Sequence, residues 1–153
     1  MTRIKEIGHA VLYVRDPEAS AKWYVDLLGM EVVAEPSQFP AVFLSFGRRD
    51  HDIALFKSDD AKDHGGRELN HLAFELDGGL ADLQAFRRRL VERRETITGT
   101  VDHGISYGIY FLDPDGHQLE VFSQRTPDDE DAIAAFKKVG VMATPIDLMA
   151  LTD

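Results

Sequence analysis

The groups able to hold a metal or move a proton in this chain are few in kind. It has six His, 27 Asp and Glu and no Cys, which removes thiolate zinc sites, iron–sulfur clusters, disulfides and cysteine nucleophiles together. Any metal must therefore be held by His and carboxylate. His9 and His71 each open an apolar run, His9-Ala10-Val11-Leu12 and His71-Leu72-Ala73-Phe74. Alternation along an extended chain puts Ala10, Leu12 and Val14 on one face and His9 on the other; Leu72, Phe74 and Leu76 likewise oppose His71. In Leu119-Glu120-Val121 the carboxylate projects away from its two apolar neighbours. With helices on the apolar faces, His9, His71 and Glu120 would point into one cleft. Two imidazoles and one carboxylate form the facial set that holds Fe(II) or Mn(II) and leaves three positions open for substrate and O2. An inward carboxylate without a cation would be costly.

The elements that must position these groups come in two rounds. Ile4–Val14 reads as a strand by β-branched content and alternation. Asp16 then caps a helix with Pro17 at its first position, Trp23, Leu27 and Leu28 at helical spacing, and Gly29 at its end. Strand-like runs follow at Glu31–Ala34, Ala41–Phe46 and His51–Phe56, separated by Pro36-Ser37-Gln38 and Gly47-Arg48-Arg49-Asp50. The pattern restarts with a strand at Glu68–Leu76 and a helix at Leu80–Arg94. Strands at Thr96–Val101, Ile105–Leu112 and Gln118–Phe122 complete it, the last two joined by the turn Asp113-Pro114-Asp115-Gly116. His9 and His71 are 62 residues apart, and Glu120 lies 66 residues after its equivalent, Ala54. With Ala at that position, three protein ligands remain rather than four, which favours an open coordination site. The expected fold is α+β: paired βαβββ modules, residues 4–57 and 67–123 within a domain of residues 1–125, forming a curled mixed sheet around a metal-binding cleft. Residues 126–153 add a helix from Thr126 to about Lys138, ending at Gly140, and a tail. Met142, Ile146, Leu148 and Met149 make that tail too apolar for water, so it is expected to pack on the domain or on a second subunit, making the protein a homodimer or higher homo-oligomer.

The repeat with His9, His71 and Glu120 resembles the vicinal oxygen chelate superfamily, which includes glyoxalase I, fosfomycin-resistance proteins, methylmalonyl-CoA epimerase and extradiol ring-cleaving dioxygenases. The resemblance covers roughly residues 4–123. Within it, Asp102-His103-Gly104-Ile105-Ser106, then Tyr110, then Asp113-Pro114-Asp115-Gly116 and Glu120 resemble the type I extradiol signature. His51-Asp52-Ile53-Ala54-Leu55 resembles that family's His-x-x-Ala-Leu segment, whose His lies beside the O2 site. The chain departs from the two-domain extradiol enzymes in carrying one copy of the domain, in a shorter interval from His103 to Tyr110, and in a longer loop between His51 and His71. The resemblance implies an Fe(II)-dependent extradiol dioxygenase, with Mn(II) suited to the same ligands, that opens the ring of a catechol-type substrate next to its diol. It implies that His103 and Tyr110 hydrogen-bond the substrate oxygens and help remove a proton. It further implies that His51 serves the O2 position, although strict alternation would place His51 opposite Ala54, away from the cleft, unless a bulge turns it.

Two other activities fit the same residues: an O2-independent divalent-metal isomerase, lyase or transferase, and a metabolite- or drug-binding protein without turnover. Composition narrows the partners. Lys and Arg number 17 against 27 Asp and Glu, a formal charge of −10, which argues against nucleic acid and anionic membranes. The expected partners are a small aromatic diol and O2, with no nucleic acid and no membrane. With no apolar stretch long enough to span a bilayer and a polar opening, a cytoplasmic protein is expected. His64 and His117 read as loop residues without function, and Arg87-Arg88-Arg89 as a solvated helix face.

Overall fold

A computed structural model describes residues 4–35, 40–60, 69–126, 128–139 and 142–152. His64, the Pro36-Ser37-Gln38 turn, Glu68, Pro127 and Gly140 lie outside the described residues. The chain forms two compact units, Met1–Gly66 and Arg67–Asp153, each an α+β layer of one mixed sheet with helix.

The first unit runs β1 (Ala10–Val14), α1 (Pro17–Leu28), β2 (Glu31–Ala34), β3 (Ala41–Ser45) and β4 (Ile53–Lys57). The sheet order is β1-β4-β3-β2, with β1 parallel to β4 and the other pairs antiparallel. Helix α1 starts where its chemistry dictates: Asp16 Oδ1 accepts the N–H groups of Glu18 and Ala19 at 3.1 Å each, and Pro17 has no N–H to satisfy. It stops at Gly29, whose φ of 74° is the left-handed conformation that favours glycine. Ser20, Ala21, Tyr24 and Leu27 form its buried stripe. Trp23 and Leu28, expected to lead that stripe, are only half-buried. The expected strand from Ile4 is shorter than its pattern suggests. Pairing with β4 begins at Ala10 opposite Ile53, so the residues before it have no ladder to join, and Ile4 and Ile7 are 84% and 89% exposed.

The second unit repeats the order as β5 (Leu72–Glu75), α2 (Leu80–Glu92), β6 (Ile97–Asp102), β7 (Ser106–Leu112) and β8 (Gln118–Gln124). It then adds α3 (Asp129–Val139), β9 (Thr144–Pro145) and a 3-10 turn at Leu148–Ala150. Its sheet order is β5-β8-β7-β6-β9, with β5 parallel to β8. Leu83 and Leu90 of α2 are buried, as are Ile109, Phe111, Leu119 and Val121 of the sheet. The expected start of α3 at Thr126 moves to Asp129, because Asp128 caps the helix by accepting the Asp131 N–H at 2.9 Å. Strand β9 has no sequence signal, since two residues carry no period. It hydrogen-bonds to β6 and brings the tail onto this unit, where Leu148 is fully buried. Arg88 and Arg89 are exposed, as expected, but Arg87 is half-buried. Among the described residues, no helix is long and apolar enough to cross a membrane.

Candidate functional site

Register decides which side chains share a face. In the second unit Glu120 lies at the centre of β8, paired with Ala73 on one side and Tyr110 on the other. His71 precedes β5 and is two residues from Ala73, so alternation puts it on the Glu120 face. The outcome is close approach: His71 Nε2 is 3.2 Å from Glu120 Oε2, and His103 Nε2 is 3.3 Å from Glu120 Oε1. The Glu120 side chain is 7% exposed. Tyr110 Oη lies 3.0 Å from His103 Nε2, and its ring meets that of His71 edge-on at 5.2 Å. Burial, and then the nearby Glu120 carboxylate, push the Tyr110 phenol up to about 12.

Two further groups shape this cluster without having been singled out in the sequence. Gly108, on β7 and on the Tyr110 face, has no Cβ where one would overlap Glu120 Oε1 and sit 3.2 Å from Glu120 Cδ. A glycine inside a strand run is a signal of close approach. Asn70 is the second: its Oδ1 is 2.7 Å from His71 Nδ1, which aims the other ring nitrogen at the carboxylate. His71, His103, Tyr110 and Asn70 border an open cavity of about 420 Å3, with Val101 and Ala143 supplying apolar wall.

The donor set can be tested for a metal. Asn70 Oδ1 and the Met142 carbonyl, 2.7 Å from His103 Nδ1, both act as acceptors, so each imidazole carries its proton on Nδ1 when neutral. Each Nε2 then turns a lone pair toward a buried carboxylate, an arrangement that only protons or a cation can satisfy. Cis ligands with bonds of about 2.0–2.2 Å lie about 3 Å apart, which the 3.2 Å between His71 Nε2 and Glu120 Oε2 matches. The second unit thus offers two donors that fit a divalent cation. Among the described residues no group of three or more His, Asp or Glu is arranged as a metal cage. The third expected ligand, His9, belongs to the first unit.

In that unit His9 is exposed at the start of β1, and its ring lies 4.3 Å from the ring of His51. His51 also meets Phe43 edge-on at 5.1 Å, while its Nδ1 is 2.8 Å from Asp50 Oδ2. Alternation would have turned His51 away from His9. It does not apply, because β4 begins at Ile53 and His51 stands before the strand. Arg49 fixes the approach to His9: its Nη1 donates to the carbonyls of Gly8 at 2.7 Å and Ile7 at 3.1 Å. That role had no sequence signal. His117, read as a loop residue, is buried, with its Nδ1 2.9 Å from Asp113 Oδ2, and it holds the turn before β8.

Comparison with known proteins agrees with this architecture. Residues 6–121 match the model of the Glyoxalase/Bleomycin resistance protein/Dioxygenase superfamily. A biphenyl-2,3-diol 1,2-dioxygenase of Rhodococcus globerulus is 31% identical over 140 residues, covering 84% of this chain and 70% of that protein. A lactoylglutathione lyase of Neisseria meningitidis is 25% identical over 133 residues, covering 81% of this chain and 94% of that one. Among solved structures, the fosfomycin resistance protein FosX of Listeria monocytogenes, in complex with Mn(II) and sulfate, shares the fold. It superposes with a TM-score of 0.67 at 17% identity, over 89% of this chain and 98% of its own. With more than half its length matched and its two βαβββ units in place, the chain belongs to the glyoxalase/bleomycin resistance/dioxygenase superfamily.

Proposed function

We propose that the protein is a non-haem Fe(II) extradiol dioxygenase acting on a catechol-type diol, with Mn(II) able to fill the same site, and with His9, His71 and Glu120 as ligands. The observation that carries this reading is the convergence of His71, His103 and Tyr110 on the buried Glu120 carboxylate, at the wall of a cavity sized for a small ring. Similarity to the biphenyl-diol dioxygenase supports the substrate class.

When bound, the metal would supply a chelation point for two adjacent oxygens and a route for electrons to O2. The residues do the rest. Glu120, whose Oε1 occupies the space left by the missing Cβ of Gly108, would supply the negative donor. His103 presents an Nε2 lone pair into the cavity and would take a proton from a substrate hydroxyl. Tyr110 stays protonated at neutral pH and would donate to the second substrate oxygen. His51, beside His9, would donate toward the O2 side.

The matching test is anaerobic reconstitution with Fe(II), addition of a panel of catechols including biphenyl-2,3-diol, and measurement of O2 uptake with absorbance of the ring-opened product. Uptake that disappears in Glu120→Ala and His71→Ala supports the reading. One bound metal per chain without uptake would move the assignment to an O2-independent metalloenzyme, which the match to nearly the full length of a lactoylglutathione lyase favours as the second reading. Ligand binding without metal would mark a simple binding protein. Self-association is part of the proposal, since Ile133 and Phe136 of α3 and Met142 and Met149 of the tail are exposed; sedimentation of the full chain tests it.

A further inference from the structure

The residues after the superfamily match, which ends at 121, include one group that touches the cluster. The Met142 carbonyl lies 2.7 Å from His103 Nδ1, and Ala143 forms part of the cavity wall. We infer that the C-terminal tail is a working part of the site: its Met142 carbonyl holds His103 in the tautomer whose Nε2 lone pair faces Tyr110 and the cavity.

The carbonyl fixes the role of one ring nitrogen. A carbonyl oxygen only accepts, so Nδ1 must carry the hydrogen, and a neutral imidazole then has its lone pair on Nε2. Tyr110 Oη lies 3.0 Å from that nitrogen. Without the Met142 carbonyl, Nδ1 loses this acceptor, and the preference for a hydrogen on that nitrogen goes with it.

The tail is built to deliver this carbonyl. Thr144 and Pro145 pair with Asp102 and Val101, at the end of the strand that leads into His103. The Ile146 N–H donates to the Thr100 carbonyl at 3.1 Å, and Thr100 Oγ1 donates back to Ile146 O. Further on, Gln84 of α2 donates from Nε2 to the carbonyls of Leu148 at 2.9 Å and Leu151 at 3.0 Å, and Leu148 is fully buried. Met142 is a positioning residue that acts through its main chain, so its side chain is not the target of a test. The anchors are.

The consequence for turnover rests on the dioxygenase reading, but the tautomer does not. The full-length chain, labelled with 15N-histidine and free of paramagnetic metal, is to be compared by nitrogen–proton correlation NMR with Gln84→Leu and with a chain ending at Gly140. The expected spectrum of the intact protein assigns neutral His103 as Nδ1–H. In Gln84→Leu and the shortened chain the Nε2–H form gains population, and turnover falls about tenfold with KM little changed. Gln84→Leu keeps the rest of the chain, so a fold lost in the shortened form does not end the test. An Nε2–H signal in the intact protein overturns the inference, as does an unchanged Nδ1–H signal in both variants. Absent O2 uptake with the Nδ1–H signal in place refutes the dioxygenase and leaves the tail's role standing.

Discussion

Gly108→Ala separates where the Glu120 carboxylate sits from whether the protein folds. An added Cβ would overlap Glu120 Oε1, lie 3.2 Å from Cδ and 3.5 Å from Cγ, and meet no backbone atom among its three nearest neighbours. Gly108 is not among the glycines with positive φ, so alanine adopts its backbone without strain. What must give is the end of a flexible side chain. Restoring ordinary contact requires Oε1 to retreat by about 1 Å, away from a geometry in which Oε2 is 3.2 Å from His71 Nε2. Overpacking costs about 1–3 kcal/mol, partly offset by about 0.4–1 kcal/mol from the stiffer unfolded chain. A net cost near 1 kcal/mol lowers Tm by about 2–4 °C for a chain this long. A 1 Å misplacement at the reacting centre costs about 100-fold in rate. Thermal unfolding, metal affinity by chelator competition and O2 uptake, measured on one preparation, should therefore diverge: a near-normal melt with metal affinity and turnover sharply reduced. A variant that keeps both refutes the claim that the site depends on the depth of this carboxylate. A variant that does not fold refutes the claim that the carboxylate alone yields.

Other expectations follow from single contacts. Asn70→Ala frees His71 Nδ1 and should weaken metal affinity about 10–100-fold while leaving the melt within about 1 kcal/mol, as read by chelator titration. Asp113→Ala strands three donors, the N–H groups of Asp115 and His117 and the His117 ring, at a buried turn. Urea unfolding should show a loss of about 3 kcal/mol. Gly29→Ala forces a side chain into a left-handed cap at φ 74°, and a Tm drop equivalent to about 1 kcal/mol is expected. Removing the metal from reconstituted protein with a chelator should abolish uptake and lower Tm, and re-addition of Fe(II) should restore both.

Periodicity made β1, α1 and α2 legible because each buries one face: Leu12 and Val14 in β1, Ala21, Tyr24 and Leu27 in α1, Leu83 and Leu90 in α2. Boundaries failed where a partner strand, rather than composition, decides the end: Ile4 to His9 look like strand, but among the described residues the ladder begins only where Ala10 meets Ile53. Tyr110 and Glu120, ten residues apart in the chain, are directly opposite each other across β7 and β8. Asn70, Arg49 and Met142 were not legible. Asn70 and Arg49 act through orientation, and Met142 acts through a carbonyl that every residue possesses.

The register of the repeat explains why this chemistry gathers in the second unit. In the first, the ladder across β1, β4 and β3 reads Val11, Ala54, Phe43; in the second, across β5, β8 and β7, it reads Ala73, Glu120, Tyr110. The same three positions are apolar in one copy and carry a carboxylate and a phenol in the other, while the histidine before the first strand, His9 or His71, is kept in both. His51 and His117 are 66 residues apart, the same spacing as Ala54 and Glu120, yet their fates differ. His51 stacks beside His9, whereas His117 is buried against Asp113 to close a turn. The two sheets therefore supply matched positions. Which copy carries the carboxylate depends on whether this strand can bury a charge, and here the burial uses the space left by the missing Cβ of Gly108 and the imidazoles of His71 and His103. Ala54 has neither need, and its ladder is free to be apolar.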